Sequence, residues 1–257
     1  MGGVVPDIFL GTIVLEPNRW STIRQDCRAT TEISGWLDRI QDAGFDGIEL
    51  WEPHAREASA DELAAILEHP LPITVFNTYV DFDEPDAAER EAAADWVRRS
   101  GATRVKWNTG PERDDASLAA YAERLAEWAA QLPGVELICE CHDGSAMDDP
   151  AAAANILAVG SNALVHTHDD LDLLRQKFAA YGSHITHIHV NHLFTGSPKL
   201  EEIRDELAEK IALVRELGFD GTWTIEFVHG TGGEHDQPES MFAQAVEDLA
   251  VLRNLLG

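Results

Sequence analysis

Short runs of β-branched and aromatic residues alternate along the chain with longer Ala-, Leu- and Glu-rich segments whose apolar positions recur at helical spacing. Strands covered on both faces read as near-continuous apolar runs, and the helices that cover them carry one apolar stripe. The alternation therefore predicts a parallel sheet wrapped by helices. Strands are expected at Ile8 to Val14, Gly47 to Trp51, Ile73 to Tyr79, Arg104 to Asn108, Val135 to Cys141, Ala163 to Thr167, Ile185 to Asn191 and Thr222 to Phe227. Helices are expected at Glu32 to Ala43, Ala60 to Glu68, Pro85 to Ser100, Ala116 to Leu132, Pro150 to Val159, Leu171 to Ala180, Leu200 to Leu217 and Pro238 to Leu255. Eight such units in 257 residues fit the size of a single α/β domain closed into a (β/α)8 TIM barrel, typically about 250 residues. No Pro- or Gly-rich linker interrupts the series, so residues 1–257 are expected to form one domain.

An internal echo supports the count. Ala43-Gly44-Phe45-Asp46-Gly47 recurs as Leu217-Gly218-Phe219-Asp220-Gly221, each time between a helix and a strand. Gly44 and Gly218 suit a left-handed helix C-cap, Phe45 and Phe219 are expected to plug the bottom of the barrel, and Asp46 and Asp220 to stabilise the turn.

Side chains alternate across a strand, and the face toward the helices must be apolar, so parity selects the residues that enter the lumen. In the fifth strand Val135, Leu137, Cys139 and Cys141 suit the outside, which turns Glu140 inward at the C-terminal mouth. In the eighth, Trp223, Ile225 and Phe227 go outward and Glu226 inward. The seventh sends His187, His189 and Asn191 inward, and the sixth His166 and His168. Two carboxylates and several imidazoles thus converge where unpaired buried acids would be costly without a cation. One divalent ion is the expected cofactor, Mn2+, Co2+, Fe2+ or Zn2+ suiting mixed carboxylate and imidazole donors better than Mg2+, which stays open.

The segments Gly44-Phe45-Asp46-Gly47-Ile48-Glu49-Leu50, Leu137-Ile138-Cys139-Glu140-Cys141-His142-Asp143-Gly144, Ile185-Thr186-His187-Ile188-His189-Val190-Asn191 and Thr224-Ile225-Glu226 resemble the xylose isomerase-like TIM-barrel superfamily of sugar isomerases, epimerases and related lyases. The resemblance spans nearly the whole chain, and it lies in the order and spacing of motifs that are weak singly. It implies a metal held by Glu on the fifth strand, Asp on the sixth, His on the seventh and Glu on the eighth. On this chain those positions are Glu140, the sixth-strand site, His189 and Glu226. The sixth strand departs from the pattern: the family has Asp followed three residues later by His, and this chain reads His166-Thr167-His168-Asp169. We take His166 as the fourth ligand, with His168 or Asp169 behind it or against substrate. Glu140 and Glu226 are also the expected proton-transfer groups.

Further substrate contacts are expected from Glu49, Trp51, His54, Lys106 and His142, each with a structural alternative. Glu49 and Lys106 could pair with each other, Trp51 could cover the mouth, and His54 and His142 could be loop residues. Cys139 and Cys141 should face the helices and carry no chemistry.

Composition narrows the partners. At 44% hydrophobic and 25% charged residues the chain is an ordinary globular protein, which argues against disorder. Its 46 Asp plus Glu against 19 Lys plus Arg give a formal charge of -27, which opposes nucleic acid and anionic membrane as partners. Only Lys106, Lys177, Lys199 and Lys210 are lysines; an acidic, Lys-poor surface fits either halophilic adaptation or the codon bias of a GC-rich genome. Three irregularly spaced cysteines, Cys27, Cys139 and Cys141, make no disulfide framework, and there is neither a basic leader nor a long apolar span, so a cytoplasmic protein is expected.

The expected activity is that of a metal-dependent isomerase or epimerase in carbohydrate metabolism, acting on a sugar, polyol or keto-sugar by proton transfer beside a carbonyl. A lyase performing β-elimination is the alternative. A phosphodiesterase like endonuclease IV is disfavoured by the charge and by strands three and four, which end in Asn77-Thr78 and Lys106-Trp107-Asn108 without further histidine ligands. A non-catalytic ligand-binding barrel and a homo-oligomer both stay open.

Overall fold

The computed structural model describes residues 5–17, 28–80, 82, 87–233 and 236–257. Eight parallel strands close on themselves in sequence order: β1 (Ile8–Gly11), β2 (Gly47–Trp51), β3 (Ile73–Asn77), β4 (Arg104–Trp107), β5 (Glu136–Glu140), β6 (Asn162–His166), β7 (Ile185–Val190) and β8 (Thr222–Ile225). Helices at Ser34–Asp42, Ala60–Glu68, Ala88–Ser100, Asp115–Ala129, Pro150–Leu157, Leu171–Tyr181, Arg204–Glu216 and Pro238–Leu256 follow the successive strands. This is the expected (β/α)8 barrel. Cys27 and the first two residues of the expected helix at Pro85 lie outside the described residues.

The outward side chains of the strands, among them Val105, Trp107, Leu137, Cys139, Val165, Ile188, Val190, Trp223 and Ile225, join the helices in one continuous core. Burying this apolar area on both faces of the sheet is what drives closure. Inside, the lumen is layered, because each strand presents every second residue to it. Arg104, Glu136, Asn162 and Thr222 begin their strands; Glu140 and His166 end theirs, Lys106 is one residue short of the end of β4, and Glu226 lies just past β8. Ile138 and Leu164, fully buried, separate the two polar layers on β5 and β6.

Several details differ from the expectation. The first strand stops at Gly11 instead of Val14, and Thr12–Leu15 wind into a 3-10 helix. The Trp51 amide is satisfied there by the Thr12 hydroxyl at 2.9 Å, so a side chain replaces the next rung of the ladder. A short helix, Glu52–Arg56, with Pro53 in its first turn, lies outside the expected set.

The echoed motif works differently from the expectation at its aromatic residues. Phe219 does not plug the lumen; its ring meets Phe178 of a covering helix and Trp223 edge-on, and Phe45 belongs to the same helix-facing core. The first glycines do form left-handed caps, Gly44 at φ 93° and Gly218 at φ 90°. The second glycines permit close approach: a Cβ on Gly47 would lie 2.8 Å from the Pro72 carbonyl oxygen, and one on Gly221 2.2 Å from that of Thr186. Asp46 accepts from the Ile8 amide at 2.8 Å, tying the turn to β1.

Candidate metal centre

Four neighbouring strands deliver the mouth. Glu140 ends β5 and His166 ends β6; His189 sits level with His166 in the β6–β7 register, and Glu226 follows β8, its amide bonded to the Val190 carbonyl at 3.2 Å. The residues just before them, Cys139, Val165, Ile188 and Ile225, are packed outward in the core, and these four side chains point inward. All four are buried, and one potential ligand atom from each lies within 4.8 Å of the others.

The contacts among them are mostly charge-assisted. His166 Nε2 donates to Glu140 Oε1 at 3.0 Å, and Lys106 Nζ lies 2.6 Å from Glu140 Oε2. Asn191 Nδ2 donates to Glu226 Oε2 at 2.8 Å. His189 Nδ1 is 3.1 Å from the same oxygen, yet it has no hydrogen-bond partner, and neither does His166 Nδ1. Buried unpartnered ring nitrogens are uncommon and point to a missing partner. A spacing of about 3 Å is also what two adjacent donors adopt around an ion with bonds of roughly 2.0 to 2.2 Å. The donor set of two carboxylates and two imidazoles fits a divalent transition metal.

Electrostatics keep the carboxylates ionised. Burial opposes the charge on Glu140, but Lys106, His166 and His189 outweigh it and hold its carboxyl well below the ordinary range. Glu226 is lowered against the same burial by His189. Burial likewise opposes the Lys106 ammonium, and Glu140, Glu226 and Glu49 together raise its pKa. The ammonium also sits 4.7 Å over the Tyr79 ring.

The remaining candidates divide. His168 stacks on His166 with ring centroids 4.7 Å apart and donates through Nδ1 to the Asn191 carbonyl at 3.2 Å, so it borders the cluster. Burial and the neighbouring His166 lower its pKa. Asp169 is not brought to the cluster: its carboxylate accepts from Lys177 Nζ at 2.8 Å in a buried pair with the covering helix. Glu49 lies below the mouth, fully enclosed, and its partners are His189, His187 and Asn77 instead of Lys106. Despite burial, the two imidazoles hold its carboxyl far below the usual range.

His54 does not reach the centre either. The Thr12 hydroxyl occupies its Nδ1 at 2.9 Å, and its Nε2 donates to the buried Glu16 at 3.3 Å. Glu16 also accepts from the Thr30 and Thr31 amides, so this group ties Glu16 to the segment that leads into the first covering helix. His142 is exposed, its Nδ1 donating to the Asp143 carbonyl at 3.0 Å. Trp51 is buried with Ile13 and Phe227 in a small apolar cluster bordered by Tyr79 and Leu193, separate from the main core. Phe227, expected outward, joins this cluster because β8 ends at Ile225 and strand parity lapses beyond it. The contribution of Asn77, which ends β3 and holds Glu49, and of Tyr79, two residues past that end, had no signal in the sequence beyond their position.

The chain belongs to the xylose isomerase-like TIM barrel family, whose model matches residues 37–255. No curated protein sequence matches it. Among solved structures it is similar to the 3-keto-D-glucoside 4-epimerase YcjR from E. coli, with 18% identity, 97% of this chain and 99% of that one covered, and a TM-score of 0.66. A xylose isomerase domain-containing protein from Salmonella typhimurium gives 13% identity, 98% and 99% coverage and a TM-score of 0.68. The IolI protein, solved with a bound zinc atom, gives 14% identity, 97% and 96% coverage and a TM-score of 0.59. At these identities the likeness is one of fold. Among the described residues, no helix is long and apolar enough to cross a membrane.

Proposed function

We propose that the protein is a metal-dependent isomerase or epimerase that moves a proton beside the carbonyl of a small sugar or keto-sugar, working as one barrel over residues 1–257 in the cytoplasm. The observation that carries this reading is the buried convergence of Glu140, His166, His189 and Glu226 with two ring nitrogens unpartnered. These four residues would hold one divalent ion, Mn2+, Co2+, Zn2+ or Mg2+. Bound there, the ion supplies Lewis acidity toward a carbonyl oxygen and so acidifies the adjacent C–H.

The chain's own groups account for the rest. Glu140 and Glu226 are both ionised and come from strands three places apart, so they can serve as bases on either side of a bound carbon. One carboxylate takes the proton of the C–H, and that electron pair passes to the carbonyl oxygen as an enediolate. Return of a proton to the former carbonyl carbon, with the adjacent hydroxyl passing its proton to the old carbonyl oxygen and becoming the new carbonyl, isomerises the sugar; return to the opposite face of the same carbon epimerises it. The positive charge of Lys106 favours the developing oxyanion. The E. coli epimerase of similar fold makes 3-keto-glucosides sensible first substrates.

The test is elemental analysis of the purified protein, followed by incubation with ketohexoses and 3-keto-glucosides in deuterated water. We expect about one divalent ion per chain and deuterium incorporated next to the carbonyl, both lost on chelation and regained with metal. Absence of metal, together with no thermal shift on adding Mn2+, Co2+ or Zn2+, overturns the reading. Loss of water from the substrate would make it a lyase, and tight metal with no exchange on any substrate a binding barrel.

A further inference from the structure

His189 meets carboxylates at both ring nitrogens, and the two contacts differ. Nε2 lies 3.0 Å from Glu49 Oε2 in hydrogen-bonding geometry. Nδ1 faces Glu226 at 3.1 Å without a hydrogen bond. A carboxylate only accepts, so the proton shared with Glu49 sits on Nε2, and Nδ1 is the nitrogen left to offer a lone pair to an ion.

Glu49 has little freedom to do anything else. It is fully enclosed, and its second oxygen accepts from Asn77 Nδ2 at 2.6 Å. The nearby His187 stands 3.4 Å from Glu49 Oε2, but its Nδ1 is bonded to the Thr222 hydroxyl at 2.8 Å and its Nε2 to that of Thr224 at 3.0 Å. Glu49, His187 and His189 are close enough to suggest a second ion. With both nitrogens of His187, both oxygens of Glu49 and Nε2 of His189 engaged, these atoms brace one another beneath the mouth instead.

We infer that Glu49 is a positioning residue: it fixes the tautomer and ring angle of His189 so that Nδ1, beside Glu226, is the atom offered to a divalent ion. The inference rests on the proposed metal site and adds to it a residue that touches neither ion nor substrate. Histidine ligands whose other nitrogen donates to a carboxylate are held in one orientation and made better donors. Here the chain of contacts runs from Asn77 on β3 through Glu49 on β2 and across the lumen to His189 on β7. Opposite strands are thereby coupled at one ligand.

The experiment uses the full-length protein stripped of metal and titrated with Co2+ by visible absorption and with Zn2+ by calorimetry. Nitrogen NMR of histidine-labelled protein then reads the imidazole tautomers. Wild type should bind one ion, with His189 coordinated through Nδ1 and protonated at Nε2. Glu49→Ala should weaken binding about 10- to 100-fold. Glu49→Gln keeps the shape and removes the charge; it should also weaken binding, with His189 no longer confined to one tautomer, and it carries the test if the alanine variant does not fold. Affinity unchanged in the glutamine variant, or coordination through Nε2 in wild type, overturns the positioning role and leaves the metal site standing. Failure of wild type to bind either metal overturns the proposed function, and this inference with it.

Discussion

Both ends of the barrel lumen are polar and both draw on the same strands, but they differ in how completely their polar atoms are used. At the N-terminal end Glu136 accepts from Arg104 Nε at 2.8 Å, from Asn162 Nδ2 at 2.7 Å and from the Thr186 hydroxyl, and Arg104 Nη1 also donates to Thr222 Oγ1 at 2.9 Å. At the C-terminal end Glu140, Glu226, His166, His189 and Lys106 crowd together with two ring nitrogens unpartnered. A polar layer kept only for stability tends toward saturation, because each unmet buried group costs free energy. The half-buried N-terminal layer has both Glu136 oxygens bonded, whereas the fully buried C-terminal layer leaves two ring nitrogens unmet. That difference favours a structural role at the first end and supports the proposed ligand site at the second.

Matched substitutions at the two ends give the largest contrast. Glu226→Gln is expected to lower turnover by roughly 100-fold or more, since on the proposed function it removes both a metal donor and a base. The same change at Glu136 should leave turnover within a few-fold, because Glu136 lies a full layer away from the mouth. Instead it loses a charge-assisted bond worth about 1.5 to 3 kcal/mol. For a domain of this size that lowers the melting temperature by roughly 3 to 10 °C. Equal losses of activity at the two positions would erase the distinction between the layers.

The sixth strand offers a sharper version over a shorter distance. His166 lies in the cluster, while Asp169, three residues on, is engaged by Lys177 outside it. His166→Ala should therefore weaken metal binding by about 100-fold or more, beyond what loss of a residue behind the ligands costs. Asp169→Asn should change affinity less than about tenfold. It should still lower thermal stability, because Lys177 would be left buried without its counter-charge. The reverse order of affinities would make the ligand set Glu140, Asp169, His189 and Glu226.

Strand parity explains why this much could be read from the sequence. Cys139, Val165, Ile188 and Ile225 are apolar and face the helices, so the orientation of Glu140, His166, His189 and Glu226 follows from their neighbours. What parity cannot reach is the choice of partner. Glu49 and His189 stand 140 positions apart, and nothing local says that Glu49 prefers an imidazole to Lys106. Likewise, no spacing rule joins His54 to Glu16 or Asp169 to Lys177 in preference to a ligand. Where the ladder ends, parity ends with it: Thr12 to Val14 read as a continuing strand because Ile13 and Val14 are β-branched and apolar, and Phe227 as an outward residue because it alternates.

The smallest expected effect concerns pH and belongs to the N-terminal end. Burial works against the charge of Glu136, but hydrogen bonds from Thr186, Arg104 and Asn162 outweigh it and hold the carboxyl below its ordinary value of 4.5. A carboxyl whose pKa is depressed on folding contributes stability above its unfolded pKa and loses it as pH falls through the folded one. The melting temperature of wild type should therefore exceed that of Glu136→Gln at neutral pH, and the gap should narrow below about pH 4.5 as Glu136 takes up a proton. Glu49, Glu140 and Glu226 are lowered too and contribute to acid unfolding, but they are present in both proteins and cancel in the difference. The quantity to measure is thus the gap between the two melting curves across pH 3 to 7, not either curve alone. A gap that stays constant through that range would mean that the ionised carboxylate adds nothing at this end, and that shape alone holds Arg104 and Asn162 in place.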